Sequence, residues 1–155
     1  MVRLAKREDL VRINELRWQV NNLHCMGRPD IFRSGFQDEL RDFVYDIYEF
    51  DNSDVIAVVR DEVICGYACV EYIDKPLSAY TWKRSFYHIS EFGVDSEFRR
   101  QGVATELFEF IKEHAKSKGL DKIELDVWEF NDIALRFYES LGFRTYRRYM
   151  EFDNQ

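Results

Sequence analysis

Apolar positions along this chain recur with two periods, and each switch between them marks an element. Val2 to Ala5 reads as a short strand. From Glu8 to Leu23 the residues Leu10, Ile13, Leu16, Val20 and Leu23 recur at helical spacing, until Gly27 and Pro29 in HCMGRPD break the pattern. A second helix is predicted over 36–49, where Leu40, Phe43, Val44 and Ile47 share one face. Two strand runs follow, DVIAVV and VICGYACVEYI, joined by the polar turn Arg60-Asp61-Glu62. DKPLSAYTWKR reads as a loop and SFYHISEFGV as a third long strand. The next helix runs to Lys118 and is closed by Gly119. Its stripe is Val103, Leu107, Phe110, Ile111 and Ala115, while Glu109, Lys112, Glu113 and Lys116 fall on the wet side. KIELDVW is a strand, NDIALRFYESLG a short helix, and FRTYRRYMEF a last strand.

The resulting order is β-α-α-β-β-β-α-β-α-β, without repeats, linkers or low-complexity tracts. It predicts one α/β domain over residues 1–155. The three middle strands pair antiparallel through short turns, and the unit around the 102–118 helix needs a right-handed parallel crossover. A mixed, mostly antiparallel sheet is therefore expected.

Composition narrows the function. A formal net charge of -7 is the wrong sign for a nucleic-acid binder. No apolar run reaches the length of a membrane span, and MVRLAKREDL has no signal-peptide apolar region. Cys25, Cys65 and Cys69 are odd in number and lack metal-type spacing, and His24, His88 and His114 add no metal pattern. A cytoplasmic protein without a metal is expected.

The candidate chemistry begins at VDSEFRRQGVATELFEF, residues 94–110. A helix start carries partial positive charge and unpaired N–H groups, and ordinarily attracts acids. Here Arg99, Arg100 and Gln101 precede Gly102 instead. The missing negative charge is expected from a ligand held by the N–H groups of residues 101 to 105, with the arginines adding long-range attraction. The Gly-Lys-Ser/Thr ending of a nucleotide loop and the three glycines of a dinucleotide fingerprint are both absent.

About thirty residues later stands NDIALRFYESLGF, with Asn131, Ala134, Tyr138, Gly142 and Phe143. With this second motif the chain resembles the GCN5-related N-acetyltransferase (GNAT) superfamily over nearly its whole length. Arg99, Gly102 and Ala104 match its acetyl-CoA signature, Arg/Gln-x-x-Gly-x-Gly/Ala, and Asn131 followed seven residues later by Tyr138 matches its second. The resemblance implies a V-shaped splay between the fourth and fifth strands, which end near Val94 and Trp128. It implies acetyl-CoA as donor, with amides of Gln101, Gly102, Val103, Ala104 and Thr105 on the pyrophosphate. Phe92 and Val94 would align the pantetheine arm, and Asn131, Ala134 and Phe137 would contact it. Gly93 is a candidate for a bulge at that point.

Transfer to an amine needs a base, oxyanion donors and an acid for the departing thiolate. Tyr138 is the candidate acid, and the N–H groups near Phe92 or Gly93 are the candidate donors. Glu91 on the central strand, Asp126 on the facing strand and ordered water are alternative bases. Asp126 also matches, by counting from Asn131, a glutamate base of the ribosomal-protein N-acetyltransferase branch. Cys65 and Cys69 have no local histidine partner, and Cys25 adjoins His24 without that adjacency making a triad, so direct transfer is expected over a covalent cysteine route.

The superfamily borders its acceptor cleft with the first two helices, which nominates His24, Asp30 and Phe32, with Trp82 from the later loop. Residues 36–54 carry seven acids against Arg41, a charge that would draw a polyamine, an aminoglycoside or a lysine side chain. A protein N-terminus is the rival acceptor, and a non-catalytic acyl-CoA-binding module the rival class. A homodimer is open by analogy alone.

Overall fold

The computed structural model describes residues 1–155. Alternation in the strands divides their side chains between two cores. Ile56 and Val58 point to one face of the sheet, and Val55 and Ala57 to the other. The strands are β1 (Val2–Leu4), β2 (Ser53–Arg60), β3 (Val63–Lys75), β4 (Arg84–Val94) and β5 (Ile123–Leu125), in spatial order β1-β2-β3-β4-β5. All neighbours are antiparallel except β4 and β5, which run parallel. The β2–β3 turn places Asp61 at φ 49° and Glu62 at φ 65°, the left-handed pair that a tight two-residue hairpin requires.

Helices α1 (Leu10–Gly27) and α2 (Asp38–Glu49) cover one face, burying Leu10, Ile13, Leu16, Val44 and Ile47 against Val55, Tyr67 and Cys69. Helix α3 (Val103–Ser117) covers the other, burying Val103, Leu107, Phe108, Ile111 and Ala115. The short α4 (Asp132–Ser140) follows β5. No helix is long and apolar enough to cross a membrane.

The single α/β domain and its mixed sheet match the sequence expectation, with five local differences. Helix α1 continues past Leu23 to Gly27, where the ring of Phe130 occupies the space a Cβ would need. Leu23 is 42 % exposed, while Asn14 and Arg17 are buried on the inner side. On α3 Phe108 is buried in the core and Phe110 packs at its margin. The bulge in β4 falls at Ser90, because Cys69 pairs with Glu91 and Val70 with Ile89. Gly93 instead gives close packing, since a Cβ there would lie 2.7 Å from the Tyr67 ring and 2.9 Å from Val20. Finally, FRTYRRYMEF forms no sixth strand: nothing after β5 pairs with the sheet.

Candidate active site

β4 and β5 pair only from Tyr87–Ile123 to Ile89–Leu125. Beyond Ile89, β4 continues to Val94 with β3 on one side and no strand on the other. The expected splay follows from this: the backbone edge from Ser90 to Val94 faces an open cleft. The Ser90 bulge also decides which side chains enter it. Ile89 and Phe92 both pack toward α3, so Glu91 turns to the α1 side.

On the α3 side lies a left-handed turn with unpaired N–H groups. Arg100 has φ 60° and Gly102 φ 80°, so two left-handed residues curl the backbone immediately before α3. Gly102 is the N-cap without a side-chain cap, and no backbone hydrogen bond outside helices and strands is donated between Arg99 and Thr105. Unpaired N–H groups in such a turn make a concave, electropositive nest of the kind suited to an anion. Arg99 and Arg100 are exposed and engage no acid. A Cβ at Gly102 would meet nothing, so its glycine serves backbone conformation.

Asp95, 2 % exposed, holds this turn in place. It accepts from Arg12, from Gln19 Nε2 at 3.3 Å and from the Glu97 N–H at 3.1 Å, while Gln19 accepts from the Ser96 N–H at 3.0 Å. Burial alone would push its carboxyl up, but the Glu97 N–H, Gln19 and Arg12 more than offset that and hold it below the usual range.

Across the cleft, α4 brings Phe137 and Tyr138 each to 6.0 Å, ring to ring, from Phe92. Tyr138 is further clamped by Phe143 at 5.6 Å, which packs on Phe108 of α3. This apolar setting pushes the phenol up to about 12 and keeps it protonated at neutral pH. The Tyr138 hydroxyl has no hydrogen-bond partner within the protein; among buried side-chain polar atoms only the Ser53 hydroxyl is unpaired, so that of Tyr138 meets the cleft. Asn131 caps α4, its Oδ1 accepting from the Ala134 N–H at 3.3 Å.

The α1 side holds Glu91 and a cluster of rings. Arg17, 3 % exposed, grips both Glu91 oxygens, through Nε at 2.8 Å and Nη2 at 2.9 Å. Its Nη1 donates to Asn14 Oδ1 at 2.8 Å and to the Leu40 carbonyl at 2.5 Å. Cys69 Sγ lies 3.8 Å from Glu91 Oε2, and burial followed by the Glu91 charge raises this thiol well above its ordinary value. His24 stacks on Phe32 at 5.0 Å, and Phe32 meets the Trp128 ring edge-on at the same distance. Phe130 completes the group, 6.1 Å from both His24 and Trp128. Burial lowers the His24 pKa against the opposing pull of Glu91.

The structure therefore collects the nominated donor residues around one cleft, with His24, Phe32 and Glu91 on its other side. Asp126 stands just past β5, exposed and without a partner. Asp30 is taken by Arg28, at 2.9 and 2.8 Å. Trp82 is 84 % exposed on the loop before β4, at the opposite end of that strand from Glu91. Arg17 and Asp95 escaped the sequence reading. A cation between Ile13 and Val20 on the apolar stripe of α1 was the available signal for Arg17; nothing local marked Asp95.

The family model described as "Acetyltransferase (GNAT) family" matches residues 13–143, and the chain belongs to that family. It is 28% identical over 104 residues to N-alpha-acetyltransferase 30 of Schizosaccharomyces pombe, covering 67% of this chain and 65% of that one. It is 37% identical over 70 residues to the glucosamine 6-phosphate N-acetyltransferase of Trypanosoma brucei brucei, covering 45% and 46%. The alignments thus span less than two thirds of these relatives. Among solved structures, a tetramutant of the BH1408 protein from Bacillus halodurans is 32% identical, with TM-score 0.95 over 99% of both chains.

Proposed function

We propose that the chain transfers an acetyl group from acetyl-CoA to a primary amine by direct attack in a ternary complex. The observation that carries this reading is one cleft flanked by an unpaired left-handed nest at Arg100–Gly102 and a neutral Tyr138. The amides from Gln101 to Thr105 would take the pyrophosphate, with Arg99 and Arg100 beside it. The free edge from Ser90 to Val94 would take the pantetheine arm as an added strand, with Ala134 and Phe137 behind it.

The amine nitrogen attacks the thioester carbonyl, and N–H groups near Phe92 and Gly93 receive the oxyanion. As the carbon–sulfur bond breaks, the Tyr138 hydroxyl gives its proton to the thiolate. The amine's surplus proton leaves through water to Glu91 in preference to Asp126, because the Glu91 charge acts on His24 of the aromatic group while Asp126 is exposed past β5. Glu91 also neutralises Arg17, so water carries the first transfer.

We assign a cationic acceptor: a polyamine, an aminoglycoside or a lysine side chain. The aromatic group of His24, Phe32, Trp128 and Phe130 offers ring faces and edges to such a ligand, and the exposed acids of α2 add attraction. The match to an N-alpha-acetyltransferase favours a protein N-terminus as the second reading. Three free cysteines suit a reducing, cytoplasmic setting.

A thiol-release assay with acetyl-CoA over a panel of polyamines, aminoglycosides, lysine peptides and free peptide N-termini tests this. Turnover on the cationic small amines or lysine peptides is the expected result. Turnover confined to peptide N-termini selects the second reading. Acetyl-CoA binding with no turnover on any acceptor makes the chain a non-catalytic acyl-CoA-binding module.

A further inference from the structure

Trp82 stands away from the cleft, on a part of the sheet that the proposed reaction does not use. The ladder between β3 and β2 ends at Glu71, opposite Ser53, and β4 meets β5 only from Tyr87 onward. Between these limits Ile73, Asp74 and Lys75 pair with Phe86, Ser85 and Arg84 and with no other strand. The β3–β4 hairpin therefore projects from the sheet as a two-stranded ribbon.

The tip of that ribbon is an ordered turn. The Ser78 N–H donates to the Thr81 carbonyl at 3.0 Å. The Ser78 hydroxyl accepts from the Tyr80 N–H at 3.1 Å and from the Thr81 N–H at 2.9 Å. Held in this shape, Leu77, Tyr80 and Trp82 are 64%, 95% and 84% exposed. Three large apolar side chains on one projecting turn mark a surface that something else covers.

Charge says what covers it. Residues 75–84, KPLSAYTWKR, hold Lys75, Lys83 and Arg84 and no acid. Arg84 is paired with Glu124 at 3.1 Å, and Asp74 accepts from the Ser85 hydroxyl at 2.7 Å. Lys75 and Lys83 are exposed and enter no ion pair. Beyond Asp74 the next acid along the ribbon is Glu71, roughly 13 Å of strand behind Lys75. Charges that far apart in water are largely screened at physiological salt, so the tip keeps a local positive field on a chain of net charge -7. Trp and Tyr rings beside lysines are the chemistry of a membrane interface, where the rings settle at the headgroup level and the ammonium groups meet anionic lipid.

We propose that the tip of the β3–β4 hairpin docks this chain on an anionic lipid surface, with Leu77, Tyr80 and Trp82 entering the interface and Lys75 and Lys83 on the headgroups. The contact is peripheral, and the acids of α2 are repelled by the same surface, which favours a tip-first approach. It does not depend on the acetyl-transfer reading.

Co-sedimentation of the full chain with vesicles of phosphatidylcholine and about one third phosphatidylglycerol, at low ionic strength, tests this. Binding should be at least about tenfold tighter than to phosphatidylcholine alone and should weaken as salt is raised. Tyr80→Ser with Trp82→Ser and, separately, Lys75→Gln with Lys83→Gln should each weaken it about tenfold or more. All four side chains are exposed, so the melting temperature should hold in both variants. Vesicles with brominated acyl chains should quench the tryptophan fluorescence of the unaltered protein, and Trp82→Tyr should abolish that quenching while the chain still sediments. Absence of binding to the anionic vesicles overturns the proposal, as does binding indifferent to phosphatidylglycerol or to either double variant. Quenching that persists without Trp82 overturns it too, because another face would then meet the lipid. Polyglutamate that binds the tip while the vesicles do not overturns it in favour of an acidic protein partner.

Discussion

Glu91 and Arg17 lie 74 positions apart, yet they form a bidentate pair in which the arginine is almost wholly buried. Removing one partner strands the other charge, which is far more costly than the net worth of the pair. Arg17→Met should destabilise the fold by about 3–5 kcal/mol in urea denaturation. A loss below about 1 kcal/mol would mean that Glu91 is adequately solvated without its arginine. In the proposed transfer the role of Tyr138 depends on a retained proton. Tyr138→Phe should lower kcat on a good acceptor by about 100-fold while leaving acetyl-CoA affinity near its original value. An unchanged kcat would remove Tyr138 from the acid role. Because burial raises the phenol from 10.0 to about 12, its stabilising contribution is complete below pH 10 and declines as pH rises through 12. The phenylalanine variant should show a smaller alkaline decline in thermal melts across this window, the rest coming from the buried Tyr67 and Tyr87 phenols, which are raised as well.

At the scale of elements, a single inserted residue aims the site. Without the bulge at Ser90, strict alternation would carry Glu91 to the face of Ile89, toward α3 and away from Arg17. The start of α3 depends likewise on backbone conformation. Gly102→Ala meets no neighbour but forces a Cβ into φ 80°, a cost of about 1–2 kcal/mol. It should lower the melting temperature by a few degrees and weaken acetyl-CoA modestly. Gly102→Asp adds a negative charge at the nest and should weaken acetyl-CoA at least about tenfold in calorimetry. An undiminished affinity in the aspartate variant would place the pyrophosphate elsewhere.

Over the whole molecule, charge and topology act together. The acids of α2 stay exposed, and α2 begins beside Arg17, whose Nη1 bonds the Leu40 carbonyl. A field of this kind is screened by salt within about 8–10 Å at physiological strength. KM for a polycationic acceptor should therefore rise several-fold between low and moderate salt while kcat holds; a salt-independent KM would argue against electrostatic capture. Periodicity sufficed for nearly every element, because each buries one stripe or one face and the repeat records it. The left-handed turn before α3 was legible for the same local reason: its glycine, its arginines and its amides lie within seven consecutive residues. FRTYRRYMEF has the composition of a strand, but composition cannot supply a neighbour, and within this chain none pairs with it. Arg17 with Glu91, Asp95 with Gln19, and the aromatic group of His24, Phe32, Trp128 and Phe130 join residues remote in the chain. Only folding brought them together, since burial and ion pairing depend on distance in space. The sequence by itself determined the elements and the unpaired amides before α3; the tertiary structure decided that Glu91 turns to the α1 side, and that Arg17 holds it.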